Sequence, residues 1–376
     1  MSPVSGVHLN GSLPLSTVEE NMRYACKALS GRLKRLPDGE PGVRCNFTRW
    51  QIWKLQDYVK LVNSSPPEQQ LLNGNFKKDQ AEDGDRTDGS GITMPTAVGV
   101  DTTTTTTPLF ETGYDDVAIE SYQIFRKLKA EGVVPVGVRF MVALPTPVSA
   151  VTLAVPAELH AQIEVVYRDA LLRALERIQR EIPPSELAVQ WDMPLEFMFL
   201  AGAPFAGARH RPWWDGPVLD GIIERVADLT GQVDESVEVG YHFCYGDSEY
   251  LEADNAKRGI KSRFFTEPED TALMVTVANS LLSKCGRRIS WISMPVPAYR
   301  TDTEYFRPLQ DLDLSGQEGF DLVLGLVHES EVEGSRERIK AASEVVPVFH
   351  IASSCGLGRH TEDEMDAIFG AYNAVL

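Results

Sequence analysis

The sequence predicts an α/β protein: one (β/α)8 TIM barrel over residues 1–376, with a long insertion after the second helix. Three observations predict it. Short apolar runs alternate with amphipathic helical stretches, eight strand candidates can be placed with a helix after each, and polar residues collect where the runs end. Such alternation implies a parallel sheet covered by helices. Eight units over 376 residues suit a closed barrel better than an open doubly wound sheet. No Gly-x-Gly-x-x-Gly follows a strand and no P-loop is present, so dinucleotide and ATP readings lack their signals.

Residues 7–12 read as the first strand and 17–33 as a helix, with Thr17 as N-cap and Glu20 completing a capping box. A short second strand falls at 35–36, before the turn-rich 37–42, and a helix covers 47–62. Residues 63–108 break the rhythm with Pro66-Pro67, a charged stretch at 77–89 and six threonines at 102–107. A loop that long marks an insertion or a lid over the site, with one short strand at 92–100. Strands then fall at 136–143, 187–191, 237–244, 289–294, 321–327 and 348–353. Helices between and after them fall at 157–180, 218–229, 271–282, 334–342 and 361–376. The first of these lines up Leu159, Ile163, Val166, Ala170, Leu171, Ala174 and Ile178 on one stripe.

Composition narrows the function classes. With 43% hydrophobic and 24% charged residues the chain has material for a full core. A net charge of -18 argues against a nucleic-acid partner, which needs a positive track. No apolar run reaches the roughly 18 residues of a membrane span, and no secretory signal opens the chain. Five scattered cysteines do not make a disulfide framework, so a reducing cytoplasm is the expected setting.

The chemistry concentrates at strand ends, where barrels place their active sites. His242 and Cys244 are two residues apart on one strand and therefore face the same side. Cys355, beside Gly356 and Gly358, ends the last strand. One imidazole and two thiolates with a fourth position open make a catalytic Zn2+ set. The plain alternative is a bonded core histidine with two inert thiols. Zinc would deprotonate a bound thiol or bring a bound water to a pKa near about 7. Asp192 and His328 are the candidate proton-transfer groups, and a strand-end cap and a satisfied structural histidine are their alternatives. Asn10, Ser12, Asp38, Glu40, Asp247 and Arg300 are candidate contacts for a small-molecule substrate. Asp302 and Glu304 fit helix capping as well as a site mouth. Cys26, Cys45 and Cys285 have no histidine at ligand spacing and read as structural.

These residues resemble the cobalamin-independent methionine synthase superfamily, specifically its C-terminal catalytic barrel and single-barrel branch, itself related to uroporphyrinogen decarboxylase. The resemblance is carried by Asn10-Gly11-Ser12-Leu13-Pro14, Leu36-Pro37-Asp38-Gly39-Glu40, His242-Phe243-Cys244, Met294-Pro295-Val296-Pro297, Tyr305-Phe306-Arg307-Pro308-Leu309, Gly325-Leu326-Val327-His328 and Cys355-Gly356. It covers nearly the whole chain outside 63–108 and implies zinc held by His242, Cys244 and Cys355. It also implies a thiol that accepts a methyl group. The chain departs from the pattern where the family has a zinc-ligating glutamate at the end of the sixth strand: it offers Ser293-Met294-Pro295. The resemblance does not extend to the half of the synthase that helps hold folate, so folate binding of that kind is not expected. The expectation is zinc-dependent methyl or alkyl transfer involving a small thiol or thioether. A zinc lyase or hydrolase, and a barrel with a decayed site, are the alternatives.

Overall fold

The computed structural model describes residues 2–46, 48–64, 109–204, 209–246, 264–266, 268–328 and 332–376. Among them eight strands form one sheet: β1 (Val4–Val7), β2 (Arg35–Pro37), β3 (Arg139–Pro145), β4 (Leu187–Met193), β5 (Glu238–Phe243), β6 (Trp291–Pro295), β7 (Asp321–Gly325) and β8 (Phe349–Ile351). Every pairing is parallel, in the order β1-β8-β7-β6-β5-β4-β3-β2. α1 (Val18–Ala28) follows β1, α2 (Arg49–Ser64) follows β2, and α3 (Tyr114–Ala130) precedes β3. α4 (Pro147–Val151) and α5 (His160–Glu181) follow β3, and α6 (Pro194–Leu200) and α7 (Val218–Gly231) follow β4. α8 (Ala272–Lys284), α9 (Thr303–Phe306), α10 (Val332–Ser343) and α11 (Glu362–Val375) complete the order.

The closed barrel expected from the sequence does not form. The sheet curls through 243° and leaves its two edges 9 Å apart, an open half-barrel. Paired strands lie about 4.8 Å apart, so no ladder can cross that seam. The edges are β1 and β2, and two local features account for the gap. Strand β1 is Val4–Val7 rather than 7–12, so Asn10 and Ser12 lie on the loop beyond it. Strand β2 has three residues and ends in Pro37, which has no N–H to donate. The seam is crossed by one isolated bridge, Val7 with Leu33, and by bonds such as Leu13 N–H to the Gly39 carbonyl (2.8 Å).

Other elements keep to local chemistry. Thr17 caps α1 by accepting from Glu20 N–H, but the helix stops at Ala28, ahead of Gly31 with φ 71°. A full capping box forms at Thr361 and Glu364 of α11. The sequence reading assigned no element to 109–135, where α3 forms, and β6 is followed by the single turn α9 rather than a full helix. Ser64 ends α2, while residues 65–108, including the strand expected at 92–100, lie outside the described residues. No described helix is long and apolar enough to cross a membrane.

Two-residue periodicity sorts the strands into faces. Phe140, Val142, Trp191, Tyr241, Phe243, Ile292, Leu324 and Ile351 join the large core under the helices. Met141, Ala188, Trp291, Val323 and Ala352 form a separate cluster on the other, inner face. Gly240 makes room for Trp291, whose ring would lie 2.1 Å from any Cβ at that position. Arg35 sits 4.1 Å over the same indole and pairs with Glu238 (2.7 Å) and Asp321 (3.0 Å). Lys34 (2.6 Å) and His350 (3.3 Å) also reach Asp321. An ion cluster and an indole thus fill the N-terminal end of the channel, which leaves the C-terminal end for chemistry.

Candidate metal centre and adjoining pocket

His242 on β5 is level with Asp192 on β4 and Ser293 on β6. Cys244 follows two residues later and faces the same side, as its spacing predicts. Cys355 comes from the loop after β8, and Ser12 holds that loop. Leu357 N–H donates to the Ser12 carbonyl (2.7 Å) and Gly358 N–H to Ser12 Oγ (3.1 Å). A Cβ on Gly356 would stand 2.5 Å from Ser12 Oγ, and one on Gly358 2.7 Å from the Cys45 carbonyl oxygen. Both positions therefore require glycine for this close approach.

The ligand atoms of His242, Cys244 and Cys355 all lie within 4.8 Å of one another, and the two sulfurs are 3.8 Å apart. Two sulfurs bonded tetrahedrally to zinc at about 2.3 Å would be separated by about 3.8 Å, so the pair already has the required span. Both ring nitrogens of His242 are buried without a hydrogen bond of acceptable geometry. A buried imidazole in that state needs a partner, and a cation between it and the sulfurs would provide one. The residues fit a divalent ion with thiolate affinity.

The local charges favour thiolate at Cys355. Its pKa lies well below the usual thiol range: the hydrogen bond from Cys244 contributes most, burial opposes it, and His242 and Arg359 add to the lowering. Burial pushes His242 down, but Cys355 and the charge of Asp192 outweigh it, and the net shift is upward. Arg359 Nη2 stands 3.5 Å from Cys355 Sγ. The sequence reading missed this residue, although the stretch Cys355-Gly356-Leu357-Gly358-Arg359 carries it four positions past the thiol.

Beside the cluster opens a small pocket enclosing about 230 Å3 of non-atom space, open solvent included. Its polar lining is Glu40, Arg44 and Asp192. Trp50, Tyr114 and two residues of β3, Ala143 and Pro145, supply the rest. Glu40 is held at φ 49°, a left-handed conformation uncommon outside glycine. Burial, then the charge of Asp38, raises its carboxyl to about 8. Asp192 is raised well above the carboxylate range by burial, against the pull of His242, and its Oδ1 accepts from Gln190 Nε2 (2.9 Å). Arg44, Trp50 and Tyr114 gave no sequence signal, because only the fold brings them to the strand ends.

Glu196 ties the walls of this pocket together. Its carboxylate accepts from Thr146 Oγ1 and from Ser149 Oγ (2.9 Å), at the start of α4. Thr146 N–H in turn reaches the Asp192 carbonyl (3.4 Å). The C-terminal ends of β3 and β4, which carry Pro145 and Asp192, are thereby joined.

The remaining expected site residues are spread more widely. Asn10 is fully engaged: Nδ2 donates to the Ser353 carbonyl (2.8 Å), Oδ1 accepts from Ser293 Oγ (2.8 Å), and its carbonyl accepts from Gln190 Nε2 (2.8 Å). Asp38 binds Arg44 (2.8 Å), Ser121 Oγ (2.8 Å) and Glu40 N–H (2.8 Å), and so supports Glu40. His328 Nε2 lies 2.9 Å from the Val296 carbonyl, and burial, then the charge of Arg338, lowers it to about 3. Arg300 pairs with Asp302 (2.9 Å) over the Tyr305 ring. Asp302 caps α9, as the capping alternative for it requires. Asp247 lies outside the described residues. On β6, Ser293 is the residue level with His242, while Met294 joins the outer core, so neither puts a carboxylate beside the sulfurs.

Fold and cluster together define a curled parallel α/β half-barrel with a candidate His-Cys-Cys centre at the C-terminal ends of its strands. Two solved structures show a remote likeness to the chain at low identity. One is a B12-independent methionine synthase from Shewanella sp. W3-18-1 in complex with selenomethionine, with 15% identity and a TM-score of 0.44 over 68% of this chain and 64% of that one. Another is a putative vitamin-B12 independent methionine synthase from Listeria monocytogenes, with 13% identity and a TM-score of 0.43 over 100% of this chain and 98% of that one. The chain thus spans just under two thirds of the Shewanella structure. Neither a family model nor a curated protein matches it.

Proposed function

We propose that the protein is a zinc-dependent transferase that moves a methyl or alkyl group to or from the sulfur of a small thiol or thioether. The observation that carries this reading is the meeting of His242, Cys244 and Cys355 within 4.8 Å at the open end of the half-barrel. When bound, zinc supplies a Lewis-acid centre that holds a substrate sulfur in its nucleophilic, deprotonated form at neutral pH. The chain's own residues do the rest. His242 and the thiolates of Cys244 and Cys355 would hold the ion. Asp192, lining the pocket with its Oδ1 fixed by Gln190, holds or moves the proton that the substrate thiol gives up. Glu40 and the aromatic walls orient the body of the substrate, and Glu196 keeps those walls in register.

A second reading, a zinc lyase or hydrolase, is favoured by one feature: two carboxyls with raised pKa values share the pocket. One experiment separates the two. Protein purified under reducing conditions should carry about one zinc per chain, lost in His242→Ala and Cys244→Ala. X-ray absorption at the zinc edge should then gain a sulfur neighbour when a small thiol is added. An unchanged sulfur shell selects the lyase or hydrolase, and wild-type protein that takes up no zinc rejects both.

A further inference from the structure

We infer that Asn10 and Ser12 are positioning residues of the candidate metal centre: they carry Cys355 to ligand distance from the pair at β5. The inference rests on the metal-centre part of the reading above and adds how the third donor is placed. The three donors do not start equal. His242 belongs to a strand paired on both sides and stands level with Asp192 and Ser293. Cys244 directly follows the end of that strand. Cys355 lies on a loop beyond β8, which stops at Ile351.

Strand β1 pairs with β8 only as far as Val7 with Ile351. Past that point other groups continue the contact. His8 N–H donates to the Ile351 carbonyl (2.9 Å), and Asn10 Nδ2 to the Ser353 carbonyl (2.8 Å), just before the thiol. Just after it, Ser12 receives Leu357 N–H on its carbonyl (2.7 Å) and Gly358 N–H on its hydroxyl (3.1 Å). Cys355 is thus held on both sides along the chain, and Ser353 Oγ donates to its carbonyl (2.6 Å). Asn10 also sets the span to β5. A backbone carbonyl can only accept, so Nδ2 must face Ser353 and Oδ1 must face the other way. Oδ1 accepts from Ser293 Oγ (2.8 Å), on the residue level with His242. One buried amide therefore links the level of the imidazole to the Cys355 loop. Ser12 is steadied from the far side of the seam, where Leu13 N–H donates to the Gly39 carbonyl (2.8 Å). Metal–donor distances vary by only about 0.2 Å. A donor on an unsupported loop would have to be ordered as the ion binds, at the expense of affinity. Here the Cys355 sulfur already stands 3.8 Å from that of Cys244.

The test uses the full chain with cobalt(II) as the probe. Its thiolate-to-metal absorption grows with the number of bound sulfurs, and its affinity is read against a chromophoric chelator. Ser12→Ala removes the hydroxyl and keeps the carbonyl. Asn10→Ala removes the amide and keeps the carbonyl that Gln190 uses. Each variant should bind cobalt about 10- to 100-fold more weakly than the wild type, the usual effect of losing a group that orients a metal ligand. At saturation each should also lose thiolate absorption and move toward the spectrum of Cys355→Ser. Circular dichroism melting measures any loss of stability, which by itself leaves the spectrum of the bound ion unchanged. A variant that keeps the wild-type affinity or the wild-type spectrum overturns the role of its residue and leaves the metal-centre reading standing. If Asn10→Ala does not fold, Ser12→Ala decides alone. If the wild type takes up no cobalt, or Cys355→Ser leaves its spectrum unchanged, the metal-centre reading falls and the inference falls with it.

Discussion

Replacing Glu196 by Gln should remove a specific pH dependence from the stability of this fold. The carboxyl is fully buried, and burial raises it from 4.5 to about 7 against the hydrogen bonds of Thr146 and Ser149. In the unfolded chain it ionises near about 4.3. Between those values the folded state holds a proton that the unfolded state has released, so stability falls as pH rises. The loss begins near pH 4.5 and is complete above about pH 7. A shift of about 2.5 units at roughly 1.4 kcal/mol per unit corresponds to about 3 kcal/mol. Urea unfolding of both proteins from pH 4 to 8 at constant ionic strength measures it. Relative to Glu196→Gln, the wild type should lose about 3 kcal/mol across that range. A difference between the two that stays flat with pH would refute the reasoning, because it would mean the carboxyl ionises alike in both states.

Three further outcomes follow from other parts of the molecule. Asp321→Asn strips the buried partner from Arg35, Lys34 and His350 and should cost about 3–5 kcal/mol in urea unfolding at pH 7. Burial alone would raise Asp321, but His350, Lys34 and Arg35 outweigh it and hold it below the carboxylate range. The wild type should lose this contribution as pH falls below about 4, and the variant has none to lose. Gly240→Ala drives a methyl group into the Trp291 ring and should destabilise by about 1–3 kcal/mol, read as a lowered melting temperature. Cys244→Ser removes one of the centre's three donors. Four-ligand zinc sites bind with about 10–16 kcal/mol, or about 3 per donor, so affinity should fall about a hundredfold in competition with a chromophoric chelator.

The two sulfurs and the imidazole were legible in the sequence for a simple reason. A strand repeats every two residues, so His242 and Cys244 must share a side, and Cys355 closes an apolar run that reads as the last strand. The helix cap at Thr17 was equally local. Asn10 and Ser12 look like substrate contacts in one dimension, since both are polar and follow an apolar run. In the fold Asn10 ties the loop after β1 to β4, β6 and the loop after β8, and Ser12 holds the Cys355 loop. No spacing rule distinguishes a polar group that faces a ligand from one that faces another strand.

The sequence by itself determined the parallel α/β architecture, the place of each later strand and the three side chains of the candidate metal centre, because all of these follow from short-range periodicity and element ends. Tertiary structure alone decided that the sheet stops at 243° with its edges 9 Å apart. It also decided that Arg44, Trp50, Tyr114 and Arg359 gather at the site. Closure depends on how twist accumulates over eight strands and on whether two short edge strands can offer matching N–H and carbonyl groups. Neither quantity is carried by any local stretch of residues.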